Sequence, residues 1–321
     1  MRKEPAENEE RPLAHWPHPI AFVLSGGGSY GAVQVGMLRA LGEAGITPDL
    51  VVGSSVGALN GVRYAASPGD AVDALVTLWQ DLGSAPIFGG RTRVGRSWSA
   101  MRRFVRRSTP SLCSPERLRA LIDTNMPIPT LEDLPVPAAV VVTDVQAGRP
   151  KVLTRGEIGP LLQATSAIPG IFPPVQIDGC IYVDGGVTAN VPIRQAIAAG
   201  ARSVIVLDAN PATMPGTIPD SVLGSVFQAS MIMLRNQRAD ADEELKGRLP
   251  ILHLPRPTPP EQSSFDFSNA EELIGAGYAT TRTFLHDLPD LADSSRGLSE
   301  AARKDPVDPD PAPPTRSTVE L

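Results

Sequence analysis

The sequence predicts an α/β protein built on a mainly parallel sheet with helices on both faces. Three observations predict it. Ala138-Ala-Val-Val-Val-Thr143 and Ser203-Val-Ile-Val-Leu-Asp208 are apolar on both faces, as strands in the middle of a helix-covered parallel sheet are. Short β-prone runs alternate with stretches of helical periodicity along the chain. At two places a strand leads straight into a glycine-rich turn and then a helix, at Leu24–Gly31 and Val52–Asn60.

At 321 residues the chain can bury a large core. A formal net charge of −6 argues against nucleic-acid binding as its general business. Cys113 and Cys180 match no metal or redox spacing, and nothing in the sequence supports a disulfide between them, so a reduced, cytoplasmic setting is the simpler expectation. The first residues have no apolar h-region and no apolar run nears the roughly 20 residues of a membrane-spanning helix, so any membrane contact is expected to be peripheral.

In chain order, residues 1–18 are charged and proline-bearing and read as a disordered tail, ahead of a domain over 19–288. Ile20-Ala-Phe-Val-Leu24 is the first strand; Ala32 to Ala44 has a helical pattern closed by Gly45. The second strand, Asp49 to Val52, runs into Gly53-Ser54-Ser55-Val56-Gly57. Helices follow at about 56–66 and 70–82. Over 87–114 the texture changes: seven arginines fall between Arg91 and Arg107, interleaved with Trp98, Met101 and Phe104. Two readings stand, a solvated basic insertion or a lid-like segment meeting anionic headgroups. Further on come a helix at 115–124, strands at 138–143 and 151–154, a helix at 157–167 and the strand Ile181-Tyr-Val183. Asn190 is expected to cap the next helix with Pro192 in its first turn. Asp178-Gly179 reads as a turn. The strand at 203–208, helical stretches at about 219–246 and 269–288 and a short strand at 251–254 complete the domain. Residues 289–321, with five prolines between Pro306 and Pro314, read as a second disordered tail.

The pattern Gly53-x-Ser55-x-Gly57 at a strand-to-helix corner is that of a nucleophile elbow, whose glycines leave room for a turn that lifts the serine off the sheet. A serine hydroxyl needs a base to take its proton. The chain has four histidines, His15, His18, His253 and His286. The first two lie in the expected tail, and the others sit in a short strand and near the end of a helix. Asp184, carried by Asp184-Gly185-Gly186, is the carboxylate alternative. Backbone N–H groups of Gly27 and Gly28, at the mouth of a helix, can hold an oxyanion. The same loop satisfies G-x-G-x-x-G as Gly26, Gly28 and Gly31. A dinucleotide site would want an acid about 20 residues on at the far end of the second strand, and Asp49 sits at the near end.

Leu24-Ser-Gly-Gly-Gly28 with Gly31, Gly53-Ser-Ser-Val-Gly57 with Asn60, Ala167-Ile-Pro169 with Phe172-Pro-Pro174, and Asp184-Gly-Gly186 with Asn190-Val-Pro192 occur in an order that resembles the patatin-like phospholipases. The resemblance runs over about 20–288. It implies a three-layer α/β/α sandwich around a mainly parallel sheet and hydrolysis of lipid esters. It also implies Ser55 as nucleophile, Asp184 as base and the Gly26–Gly28 loop as oxyanion hole, with Gly31, Gly53, Gly57, Gly185 and Gly186 in support. No cofactor or metal is implied; a lipid or ester is the expected partner, with membrane contact through Arg91–Arg107 as one reading. One position departs: Tyr30 stands where the family usually has Arg or Lys. Two alternatives remain at this level: an α/β-hydrolase-type Ser-His-Asp triad using His253 or His286, and a catalytically weak lipid-sensing protein on the same fold.

Overall fold

The computed structural model describes residues 13, 15–84, 115–211, 232–234, 236–238, 243–245, 247–258 and 266–288. The basic 87–114 stretch, the 289–321 tail and most of the expected 219–246 helix lie outside these residues, though the described pieces of the last are helical.

Eight strands form one sheet among the described residues: β1 (Ile20–Leu24), β2 (Leu50–Ser54), β3 (Ala138–Asp144), β4 (Arg149–Leu153), β5 (Val175–Ile177), β6 (Cys180–Asp184), β7 (Ser203–Leu207) and β8 (Ile251–His253). Their order is β5-β6-β3-β2-β1-β7-β8, with β4 also on β3. The β3-β2-β1-β7-β8 pairings are parallel, whereas β4, β5 and β6 pair antiparallel. The helices are α1 (Ala32–Glu43), α2 (Val56–Ala66), α3 (Ala71–Ser84), α4 (Pro115–Asn125), α5 (Ile158–Thr165), α6 (Gly186–Ala189), α7 (Ile193–Ala198) and α8 (Ala270–Asp287).

The central strands alternate buried side chains between two cores, which makes three layers. Phe22, Leu24, Val51, Val140, Ile205 and Leu207 face the larger core, filled by α1, α2, α3 and α8 through residues such as Met37, Leu41, Val62, Trp79 and Leu273. Ala21, Val23, Val52, Val141, Val204 and Val206 face the smaller one, closed by Ala189, Ile193 and Ala196.

The register at the carboxyl end of the sheet positions the site. β4 pairs with Val140–Asp144 of β3, overlapping both the Ala138–Val141 stretch that pairs with β2 and the Val142–Asp144 stretch that pairs with β6. A strand has only two hydrogen-bonding edges, so β4 takes one and β2 and β6 share the other. Ser54 lies opposite Val141, and Asp184 opposite the next residue, Val142. The end of β2 and the end of β6 therefore meet head on.

Three expectations need correction. Of the expected 1–18 tail, the described residues 13 and 15–18 pack on the domain: Leu13 and Trp16 are each only 5% exposed within the larger core, and Asp49 accepts from Ile20 N–H at 2.7 Å and pairs with His18 at 2.6 Å. Apolar Leu13 and Trp16 have core to fill, whatever the charge around them. The strand β5 is an addition to the expected elements; it forms a hairpin with β6 through Asp178 and Gly179, both at positive φ (50° and 80°) as a two-residue turn requires. Asn190 does not cap the helix that follows it: α7 starts three residues on, behind Pro192, with no side-chain cap, and Asn190 stands instead at the carboxyl end of α6.

Candidate active site

Ser55 follows the last residue of β2 and precedes α2, at φ 53° and ψ −129°. That conformation is costly for a residue with a Cβ and persists only where neighbours enforce it. The neighbours are the two glycines. A Cβ on Gly53 would lie 2.5 Å from the Ala58 backbone, and one on Gly57 would lie 2.4 Å from the carbonyls of Leu24 and Ser25. Without side chains at both, α2 descends onto the end of β1. The Ser55 amide donates to Thr165 Oγ1 at 2.9 Å, and that hydroxyl donates to the Val141 carbonyl at 2.5 Å, so the last turn of α5 also braces the elbow.

Asp184 ends β6 and is 5% exposed. Its Oδ1 accepts from the Gly186 amide at 2.7 Å. The Ser55 hydroxyl faces the carboxyl and favours its charged form, yet Oδ2 meets no donor of ordinary hydrogen-bond geometry among the described residues, so the contact is a loose one. Burial dominates: it pushes the Asp184 pKa up to about 6, against the opposing Ser55 hydroxyl and Gly186 amide. Gly185 and Gly186 make the return of the chain feasible. A Cβ on Gly185 would lie 2.1 Å from the Val141 carbonyl, and one on Gly186 2.8 Å from Asp184 Oδ1.

The glycine loop lies beside both groups. A Cβ on Gly26 would lie 3.2 Å from Ser55 Cβ and 2.5 Å from Asn190 Oδ1. Asn190, expected from sequence to be a cap, is thus part of the site. Its carbonyl accepts the Gly26 amide at 3.1 Å. This corrects one expected role: the N–H of Gly26 is already used, and Gly26 serves the loop by being small. The amides of Gly27 and Gly28 have no acceptor among the described residues. Gly28 is at φ 59°, which favours glycine. Gly31 admits Val56, whose methyls would be 2.7 Å from a Cβ there. Tyr30 is buried in the larger core, and its N–H donates to the Gly27 carbonyl at 3.3 Å, closing the turn.

Buried polar side chains hold this loop, Gln34 unmarked by any motif and Asn60 belonging to the elbow motif. Gln34 Nε2 donates to the carbonyls of Ser25 and Leu207, both at 2.9 Å. Asn60 bridges the Gly31 carbonyl, Gln34 Oε1 and Trp79 Nε1. Behind Ser25, Asp208 accepts from Ser25 Oγ at 3.0 Å and pairs with Arg238 at 2.7 Å and Arg256 at 3.7 Å. Asp208 directly follows β7, and a carboxylate closing an apolar strand is the one signal the sequence offers for it. Thr165 carries none.

The triad alternative lacks its geometry. His253 sits on β8, separated from β2 by β1 and β7, and faces Arg238 at 3.4 Å. Three strand spacings are about 14 Å. His286 is exposed near the end of α8 beside Asp287. Asp49 holds the amino-terminal start of β1, at the opposite end of the sheet from the glycine loop, so it is not placed for a dinucleotide ribose. Among the described residues no group of three or more His, Cys, Asp or Glu could hold a metal ion, and no helix is long and apolar enough to cross a membrane.

A serine on a strained elbow, opposite a buried carboxylate, on a mainly parallel three-layer sheet is the class of protein that fold and site define. Residues 22–197 match the model of the patatin-like phospholipase family, and the chain belongs to that family. Patatin-like phospholipase domain-containing protein 7 of Mus musculus is 31% identical over 194 residues, covering 59% of this chain and 13% of that protein. Lysophospholipase NTE1 of Mycosarcoma maydis is 29% identical over 248 residues, covering 72% of this chain and 12% of that protein. The match thus spans about an eighth of each relative's length. Among solved structures, a human cytosolic phospholipase A2 aligns over 88% of this chain and 59% of its own at 11% identity, with a TM-score of 0.45.

Proposed function

We propose that the chain hydrolyses carboxylic ester bonds of lipids, with Ser55 as nucleophile, Asp184 as base and the Gly27 and Gly28 amides as oxyanion donors. The observation that carries this reading is the Ser55 hydroxyl, on a positive-φ elbow, facing the buried Asp184 carboxyl whose Oδ2 has no well-aligned donor of its own. Ser55 Oγ attacks the ester carbonyl carbon as its proton passes to Asp184. The carbonyl oxygen becomes an oxyanion facing the two glycine amides, donors that typically contribute about 10²–10³ in rate each. Collapse of the tetrahedral intermediate breaks the bond to the alcohol, which leaves with the proton from Asp184. Water then gives its proton to the same carboxylate, attacks the acyl-serine and releases the acid, and the proton returns to Ser55 Oγ.

Relatives named as lysophospholipases make lysophospholipids the first substrates to try. The stretch Arg91–Arg107 is the sequence's candidate for contact with anionic headgroups at a membrane surface. The test is hydrolysis of p-nitrophenyl esters and lysophospholipids by wild type, Ser55→Ala and Asp184→Asn, together with fluorophosphonate labelling. Turnover and labelling that both vanish in Ser55→Ala, with turnover lost in folded Asp184→Asn, are expected. Turnover surviving Ser55→Ala would overturn the reading.

A further inference from the structure

The carboxylate of Asp208 is the other buried acid near the site, and the chemistry above makes no use of it. It is 2% exposed, and burial alone would penalise its charge. Arg238 at 2.7 Å and Arg256 at 3.7 Å, both on its Oδ2, reverse that penalty and hold the carboxyl below the usual range, aided by Asn210. The other oxygen turns to the glycine loop. Oδ1 accepts from Ser25 Oγ at 3.0 Å, from the Asn210 amide at 3.0 Å and from Asn210 Nδ2 at 2.7 Å. Ser25 Oγ in turn accepts the Ala209 amide at 2.8 Å and also lies 3.0 Å from the Gly26 carbonyl, so its one proton is shared between that oxygen and Asp208 Oδ1, and Asn210 Nδ2 reaches the Gly26 carbonyl at 3.1 Å. A Cβ on Gly27 would lie 2.9 Å from Ala209 Cβ, so the chain after β7 forms the wall behind the loop.

The consequence is directional. The peptide plane between Gly26 and Gly27 contains both the Gly26 carbonyl and the Gly27 N–H. An acceptor fixed on one side of a rigid plane fixes the donor on the other. Asn210 grips the Gly26 carbonyl, and the Asn190 carbonyl grips the Gly26 N–H of the plane before it.

We propose that Asp208, held by Arg238, is a positioning residue for hydrolysis. Through Ser25 and Asn210 it orients the Gly26–Gly27 peptide so that the Gly27 amide faces the oxyanion. This rests on the lipid-ester reading above, and it gives a distal ion pair a part in transition-state binding.

The experiment compares wild type, Ser25→Ala and Asp208→Asn on a p-nitrophenyl ester, with rates normalised to sites titrated by a fluorophosphonate. Affinity for a trifluoromethyl ketone, which mimics the tetrahedral intermediate, is measured alongside. The turnover rate per titrated site should drop about tenfold or more, with KM changed by less than about threefold. Ketone affinity should fall in step with kcat/KM, because the lost donor acts on the oxyanion alone. A purely structural role would lower the number of titrated sites and leave the turnover rate per site unchanged, and that result overturns the proposal. Should Asp208→Asn fail to fold, Ser25→Ala, which keeps the ion pair, decides by the same criterion. A wild type with neither turnover nor Ser55-dependent labelling would sink the hydrolase reading and this proposal together, whereas an active wild type with unaffected variants sinks this one alone.

Discussion

Ser54 and Asp184 occupy consecutive places along one edge of β3, opposite Val141 and Val142, although one ends a parallel partner and the other an antiparallel one. The edge passes from β2 to β6 without a gap, and Gly185 fills the junction. A methyl group there would lie 2.1 Å from the Val141 carbonyl and 2.6 Å from Ser54 Oγ. The Ser54 hydroxyl can turn aside, but the Val141 carbonyl is sheet backbone and cannot yield. Gly185→Ala is expected to abolish activity and to lower thermal stability sharply. Gly42→Ala, in α1 with nothing within 4 Å of the added methyl, should be neutral or stabilising by up to ~1 kcal/mol. Differential scanning calorimetry on the two variants checks both directions.

The pH profile follows from Asp184. The base must be ionised to take the serine proton, and its pKa stands at about 6. In the free enzyme kcat/KM should therefore fall about tenfold per pH unit below 6 and level off above it. An acid limb centred near the ordinary carboxylate value of about 4 would mean that the carboxyl is far better solvated than its burial suggests. Because neither His253 nor His286 faces Ser55, replacing both with Asn should leave the limb in place.

Burial that raises a carboxyl pKa also costs stability. The folded protein holds the Asp184 proton up to about pH 6, whereas the unfolded chain releases it near the ordinary value of 3.8. Stability thus drains as pH rises between those values and stays reduced above them, by about 3 kcal/mol for a shift of this size. Asp184→Asn keeps an acceptor for the Gly186 amide and removes the charge. It should be inactive yet melt a few degrees higher than wild type at about pH 8, an advantage that shrinks as pH falls toward about 4. Melting curves at both pH values test it, and equal midpoints at the higher pH would contradict it.

Thr165 links three elements through a single oxygen, accepting from Ser55 N–H and donating to the Val141 carbonyl. Thr165→Val preserves shape and strands both groups in a buried place, at about 1–3 kcal/mol each. Thr165→Ser keeps the oxygen and gives up one methyl. Val is expected to lower kcat much further than Ser does, with the two proteins similarly populated at low temperature. Rates per titrated site separate the cases.

What the sequence discloses is what glycine and hydrophobic patterning can encode. Strands β1, β2, β3 and β7 each carry an apolar run of three to five residues, and the elbow and the Asp184-Gly-Gly turn show themselves because close backbone approach leaves only glycine. The three-residue β5 is too short to carry a periodic signal. Its two-residue turn is legible in Asp178-Gly179, but a turn alone does not say that a strand precedes it. Leu13 and Trp16 are hidden by the charged residues around them. The bracing groups Thr165, Gln34 and Asp208 leave little trace. A buried hydrogen bond between residues far apart in sequence depends on where the fold brings them, and no local composition records that. Asn190 misleads because asparagine before a helix usually caps it, and here its backbone carbonyl serves the glycine loop instead.

Away from the chemistry, helices α1 and α8 touch backbone to backbone: a Cβ on Gly36 would lie 2.1 Å from the Ile274 carbonyl, and one on Gly277 2.3 Å from the Val33 carbonyl. Two paired glycines allow this, and the outer rim is closed by Tyr278, whose hydroxyl donates to Glu43 at 2.6 Å beneath the Arg39 guanidinium. An alanine at either glycine must push the helices apart along their length, opening gaps around Val33, Met37 and Leu273 in a close-packed core. Gly36→Ala is expected to destabilise by about 3 kcal/mol or more, at the upper end of overpacking costs. The change lies one turn beyond the glycine loop, so kcat/KM per titrated site at low temperature should stay within about twofold of wild type. Chemical denaturation read beside titrated-site kinetics decides it. A variant as stable as wild type would show that the helices have room to separate, and a stable but inactive one would show that α1 transmits strain into the oxyanion loop.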